Sequence, residues 1–127
     1  MKNAETREKI SKLIWQNRCA EGVKQAPVLI VLCALPEASA LHEGKEYFLV
    51  DAGIAMEHIV LAAAAQNLGT CWVGFFNEDE IKQLLHIPEK VRVVAMSPLG
   101  YPDKSETGAS SRMPHEKVIF LEEWQNR

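Results

Sequence analysis

The chain has 127 residues, 47% hydrophobic and 24% charged, with a net charge of -3; this excludes a disordered segment and fits one ordinary globular domain over 1–127. The small negative charge and scattered lysines and arginines give no general attraction to nucleic acid or anionic lipid, so neither is an expected partner. The unbroken apolar run 59–65 is far shorter than the roughly 20 residues of a membrane span, and the charged start is unlike a signal peptide, so the expected compartment is the cytoplasm, with no membrane.

Residues 3–18 have the pattern of an amphipathic helix, with Ile10, Leu13 and Ile14 on the packing face among charged neighbours. Gly22 interrupts. The run 27–34, PVLIVLCA, is short, apolar and β-branched, which predicts a strand buried on both faces and closed by Pro36. A polar connection with His42 and Gly44 follows.

From Tyr47 to Leu68 the strongly polar residues are Asp51, Glu57, His58, Gln66 and Asn67. A helix this apolar around its circumference is expected to be enclosed by other elements, with Gly69 taking the left-handed conformation that stops it. A chain this short has little of its own to enclose it, which predicts pairing with a second copy.

The segment GTCWVG (69–74) turns sharply. Asn77 with Glu80 three residues later predicts a capped helix over 78–86 that places Ile81, Leu84 and Leu85 on one face and ends before Pro88. The run 91–96 predicts a second buried strand, terminated by Pro98. Residues 103–111 are expected to be a mobile surface loop, 117–121 a third strand, and 122–127 a polar tail.

Alternating strands and helices around one central helix predict an α/β or α+β layer structure, and a three-stranded sheet has edges that favour pairing between chains. Cys19, Cys33 and Cys71 lack CxxC spacing and His42, His58, His86 and His115 match no ligand pattern, so no disulfide framework or metal site is expected. Cys71 is expected to be buried beside Trp72, His58 to be packed or interfacial, and Asp51 to favour the positive end of its helix. Neither GxSxG nor a Walker-type phosphate loop is found. The pattern alone therefore defines a soluble α/β domain and no reaction.

The segments Thr70-Cys71-Trp72-Val73-Gly74, Pro98-Leu99-Gly100-Tyr101-Pro102 and Ser111-Arg112-Met113-Pro114, in this order, resemble the nitroreductase family of FMN-dependent oxidoreductases. The resemblance implies an α+β fold: a small mixed sheet flanked by helices, the long central helix in a homodimer interface, and a C-terminal extension crossing to the partner. It implies hydride transfer from NADH or NADPH through FMN to a nitroaromatic, quinone or similar small-molecule acceptor, chemistry that the cofactor carries and the protein positions.

In the family, the segment matching Trp72, Val73, Gly74 and Phe75 runs along the flavin edge, with a backbone N–H directed at the flavin N5. Glycine suits that place because a residue without a β-carbon lets backbone approach a flat ligand. Arg112 matches an arginine that reaches the FMN phosphate, and Ser110 stands where a lysine is often found.

Full family members carry an earlier arginine-rich segment that grips the phosphate and a Pro-Ser-rich segment with an asparagine beside the ring. Neither is found here. The expectation is thus an N-terminally shortened domain that binds FMN weakly, with a second polypeptide as the candidate source of the missing segment. The alternative is a non-catalytic or degenerate flavin-binding module, or a structural partner of another chain.

Overall fold

The computed structural model describes residues 1–103 and 111–124. In place of one helix over 3–18 there are two, α1 (Ala4–Ser11) and α2 (Asn17–Gln25). No glycine or proline lies between them. The break is made by residues 13–15, whose backbone pairs with 75–77: Trp15 N–H donates to the Phe75 carbonyl at 3.0 Å and Asn77 N–H to the Leu13 carbonyl at 2.9 Å. Tertiary pairing has overridden local helix preference. Ile10 and Ile14 are still buried, and Leu13 packs against the same core. Asn3 Oδ1 caps α1 by accepting from Thr6 N–H at 2.9 Å.

Strand β1 (Val28–Ala34) forms where expected. A hairpin of β2 (Leu41–His42) and β3 (Lys45–Glu46) follows, turned by Glu43 and Gly44, both at positive φ, and leads into α3 (Tyr47–Ala64). After β4 (Gly69–Thr70) come α4 (Glu78–Leu85) and β5 (Arg92–Gly100).

The sheet order is β1-β5-β4, so the last strand in sequence is central. Both pairings are antiparallel. The α+β class with a small sheet and flanking helices holds, while the implied mixed pairing does not occur among the described strands. Position decides burial: β5 is covered on both faces, as expected, whereas edge strand β1 leaves Cys33 exposed. Its register with β5 slips between Leu32 and Cys33, which leaves Val94 as a bulge between Ala95 and Val93.

Pro98 does not terminate β5. It stands opposite Leu29, whose own N–H and carbonyl bond to Met1 instead, at 2.9 and 2.7 Å. The Leu29–Pro98 pair is therefore a non-hydrogen-bonded position, where a missing N–H costs the β1 ladder nothing.

Helix α3 ends four residues earlier than expected, and the left-handed residue beyond it is Asn67 (φ 58), not Gly69, which opens β4. Asparagine tolerates that conformation better than most residues with a β-carbon. One stripe, Phe48, Ala52, Met56 and Ala63, is buried in a helix lying against β1, β4 and β5. The expected enclosure fails within one chain, because Leu49, Val50, Ile54 (53% exposed) and Leu61 (57%) face outward. With 18 residues and a mean hydropathy of 1.5, α3 has the length and composition of a membrane span, which an interface helix shares.

Helix α4 is capped as expected: Asn77 Oδ1 accepts from Glu80 N–H at 3.3 Å and the Asn77 amide donates to the Glu80 carboxylate. Its C-terminus is set by His86 at φ 54, ahead of Pro88. Ile81, Leu84 and Leu85 join Val23, Leu29, Val73, Val93 and Met96 in the core.

The third strand over 117–121 does not form. The chain makes a 3-10 turn at His115–Lys117 and then an irregular path that exposes Val118, Ile119 and Leu121, because no edge of this chain's sheet is paired with it. The rings of Phe120 and Trp124 lie 4.5 Å apart. Of the loop expected over 103–111 and the tail, residues 104–110 and 125–127 lie outside the described residues.

Candidate functional site

Residues 71–77 form a strip whose backbone is fixed at both ends. Val73 exchanges two 2.9 Å hydrogen bonds with Met96 of β5, and the Leu13–Trp15 segment holds Phe75 and Asn77. Every third side chain along it turns inward. Val73 and Phe76 point into the core, while Trp72 (49% exposed), Gly74 and Phe75 (59%) face out. Trp72 is thus not a core residue. Val73 offers only its backbone to a ligand, since its side chain is buried.

The strip leaves the sheet because of Pro98. Bridges at Thr70–Leu99 and Val73–Met96 flank a gap in the ladder. Within it Cys71 N–H turns to the Ser97 hydroxyl at 3.3 Å, and that buried hydroxyl donates to the Pro98 carbonyl at 3.0 Å. Proline has no N–H to donate across the gap, so Cys71 and Trp72 bow outward.

Gly74 does not have a left-handed φ. A β-carbon there would stand 3.0 Å from Trp72 Nε1, a tight contact that the indole can relieve by turning aside; as it is, the indole leans over a bare Cα. Beside it lies a groove of about 200 Å³ lined by Phe48, Leu49, Gly74, Phe76, Glu78 and Arg92, among others. Arg92 grips Glu78 with two prongs, Nε to Oε1 at 2.9 Å and Nη2 to Oε2 at 3.0 Å, and Val93 N–H donates to Oε1 at 2.8 Å. The Arg92 hydrogen bond is the main reason the Glu78 carboxyl is held below its ordinary range; partial burial opposes it. Sequence reasoning missed this pair. Glu78 there reads only as an acidic residue in the first turn of α4, and nothing links it to a residue fourteen positions on.

Two wider clefts exist. One, of about 520 Å³, runs between Gly22, Pro27, Thr70, Cys71, Pro98 and Tyr101, among others. The other, of about 510 Å³, borders Lys82, whose buried ammonium donates to the Glu89 carbonyl at 2.6 Å.

Arg112 is exposed and lines none of these three clefts; Ser110 lies outside the described residues. The expected burial of Cys71 is not found: it is exposed, with its sulfur 3.6 Å from that of Cys19. His58 is exposed, and Asp51 accepts from the Ser39 hydroxyl at 2.8 Å.

The ring-side fit to a flavin is good, since an exposed backbone without a β-carbon lies between two outward aromatic rings on a rigid support. The phosphate side has one matched arginine, Arg112, exposed on the surface and lining none of the clefts described. These features define the class as an α+β domain built on a three-stranded antiparallel sheet, with an open apolar helix face and a glycine-centred strip.

The chain belongs to the nitroreductase family, whose model matches residues 1–101. It is 32% identical over 122 residues to a Methanothermobacter thermautotrophicus protein named "Putative NADH dehydrogenase/NAD(P)H nitroreductase", covering 93% of this chain and 61% of that protein. A nitroreductase family protein from Clostridium novyi NT superposes with a TM-score of 0.78 at 42% identity, over 83% of this chain and 61% of that one. The NADPH:FMN oxidoreductase of Vibrio harveyi, solved with NAD+, has the same fold at a TM-score of 0.84, with 23% identity over 99% of this chain and 58% of that one. The chain thus spans about three fifths of the length of these relatives.

Proposed function

We propose that this chain is part of an FMN-dependent oxidoreductase that takes hydride from NADH or NADPH and reduces a nitroaromatic, quinone or similar acceptor, acting as a homodimer. The observation that carries it is the strip at Gly74, an exposed, Cβ-free backbone between outward Trp72 and Phe75, in a chain of the nitroreductase family. FMN, when bound, supplies the two-electron chemistry.

The chain's residues position and hold. The paired hydrogen bonds of Val73 and Met96 fix the height of the strip, so that a flat ring meets a preorganised backbone edge. Trp72 and Phe75 offer apolar surface on either side, and Arg112 offers a guanidinium to the phosphate. The open face of α3 supports the homodimer, since Leu49, Val50, Ile54 and Leu61 would otherwise stay in water.

The test is to titrate the purified chain with FMN, follow the flavin spectrum, and record its absorbance with FMN in excess before and after anaerobic addition of NADH or NADPH. Weak, saturable binding with bleaching faster than that of free FMN is the expected result. A chain that refuses FMN would overturn the enzyme reading and leave a non-catalytic family module. Gly74→Val should lower FMN binding while the melting temperature stays nearly unchanged, because residue 74 is exposed and a β-carbon there meets only the movable Trp72 side chain.

A further inference from the structure

We propose that Cys19 and Cys71 are a reversible dithiol–disulfide pair that locks α2 to the strip leading to Gly74. Two sulfurs 52 residues apart in sequence stand 3.6 Å apart in space. A disulfide needs about 2.05 Å, so closing it asks for an approach of roughly 1.5 Å, within the reach of small side-chain rotations. Both ends are on supported backbone: Cys19 lies in α2 with its sulfur 3.2 Å from Gln16 Oε1, and Cys71 N–H is tied to Ser97.

Access is open as well. Cys19, the first attacker, is half-buried beside exposed Cys71, which lines the cleft of about 520 Å³ between Gly22 and Tyr101. Cys33, on β1, provides an internal reference.

The oxidant is a low-molecular-weight disulfide such as oxidised glutathione. The Cys19 thiolate attacks one of its sulfurs, a Cys19–glutathione bond forms, and one glutathione thiolate leaves. Cys71 then gives up its proton and attacks the Cys19 sulfur, forming the Sγ–Sγ bond and expelling the second glutathione thiolate. Two cysteine thiols lose two electrons in total, and one glutathione disulfide becomes two glutathione thiols, which take up the two protons.

Loss of water around the Cys71 sulfur, and next its hydrogen bond with Cys19, hold its thiol up to about 11. The second step is therefore slow at neutral pH and accelerates about tenfold for each pH unit below that value. The inference does not depend on flavin binding, because every readout is a thiol or a mass.

The full chain is treated with oxidised glutathione at about pH 8, alkylated, and measured intact and after digestion without reductant. The expected product has lost two hydrogen atoms, is alkylated only at Cys33, contains a Cys19–Cys71 linked peptide, and returns to three free thiols with dithiothreitol. Cys71→Ser should retain a glutathione adduct on Cys19, whereas Cys19→Ser should gain little on Cys71. Alkylation of both Cys19 and Cys71, a persistent glutathione adduct on either of them in the unsubstituted chain, or a link between two chains would each overturn the proposal.

Discussion

Replacing Glu78 tests how the groove beside Gly74 is held. In Glu78→Ala, the two-pronged contact with Arg92 disappears and the N–H of buried Val93 loses its acceptor. The orphaned N–H costs about 1–3 kcal/mol. The ion pair adds only about 0.2–1 kcal/mol, since the Arg92 side chain is 48% exposed. At 127 residues, each kcal/mol is worth about 4 °C in melting temperature, so the expected loss is about 5–15 °C. Glu78→Gln keeps an oxygen for Val93 and gives up only the charge, so it should lose about 4 °C or less.

Acid separates the two contributions. The Glu78 carboxyl is held below its ordinary value of 4.5, so its charge stabilises the fold above that pH and ceases to do so as the pH falls through the folded value. The gap between the native chain and Glu78→Gln should close on that descent, while the gap to Glu78→Ala should narrow without vanishing. Thermal unfolding by circular dichroism from neutral pH into this range measures both. Equal losses in the two variants, or losses under about 2 °C in both, would refute the assignment of Val93 N–H as the costly group.

Gly100→Ala should cost about 1–3 kcal/mol, roughly 4–12 °C, because the new carbon would lie 2.8 Å from Cδ of the stiff Pro27 ring; an unchanged melting curve would contradict this. Arg112→Ala should weaken FMN binding by a factor of about 10 to 100 and leave riboflavin, which has no phosphate, nearly unaffected; equal effects in a titration would remove Arg112 from the phosphate site. Ile54→Glu, on the open face of α3, should shift sedimentation from dimer to monomer at micromolar concentration, and a native chain that is already monomeric would defeat the homodimer.

Local signals read well where a local cause dominates. The Asn77 cap, the Ile81, Leu84 and Leu85 face of α4, the strand at 28–34 and the onset of the long helix all follow from spacing over a few residues. Partners distant in the chain were the obstacle. Nothing local in 12–16 says that the helix must stop so that Trp15 can bond Phe75, and Pro98 looks like a terminator unless its position opposite Leu29 is known. Cys71 was expected inside for the same reason, since the gap that sends it and Trp72 outward is made by a proline 26 residues beyond Trp72. The backbone exposure at Gly74 came from the family resemblance, and the tight contact a β-carbon there would make only from the position of the Trp72 ring.

The central place of β5 bears on how the chain is made. Both other strands of the sheet use β5 as their partner, and Val28 must wait for Leu99. A ribosome that has released the chain only through residue 70 has therefore emitted β1, α3 and β4 without β5, the partner of both strands and part of the cover of the α3 stripe. Contacts this distant in sequence close late and slowly. The nascent chain thus carries its stickiest segments unpaired until residue 100 has emerged, and slow elongation over 70–100 lengthens the interval in which aggregation competes with folding.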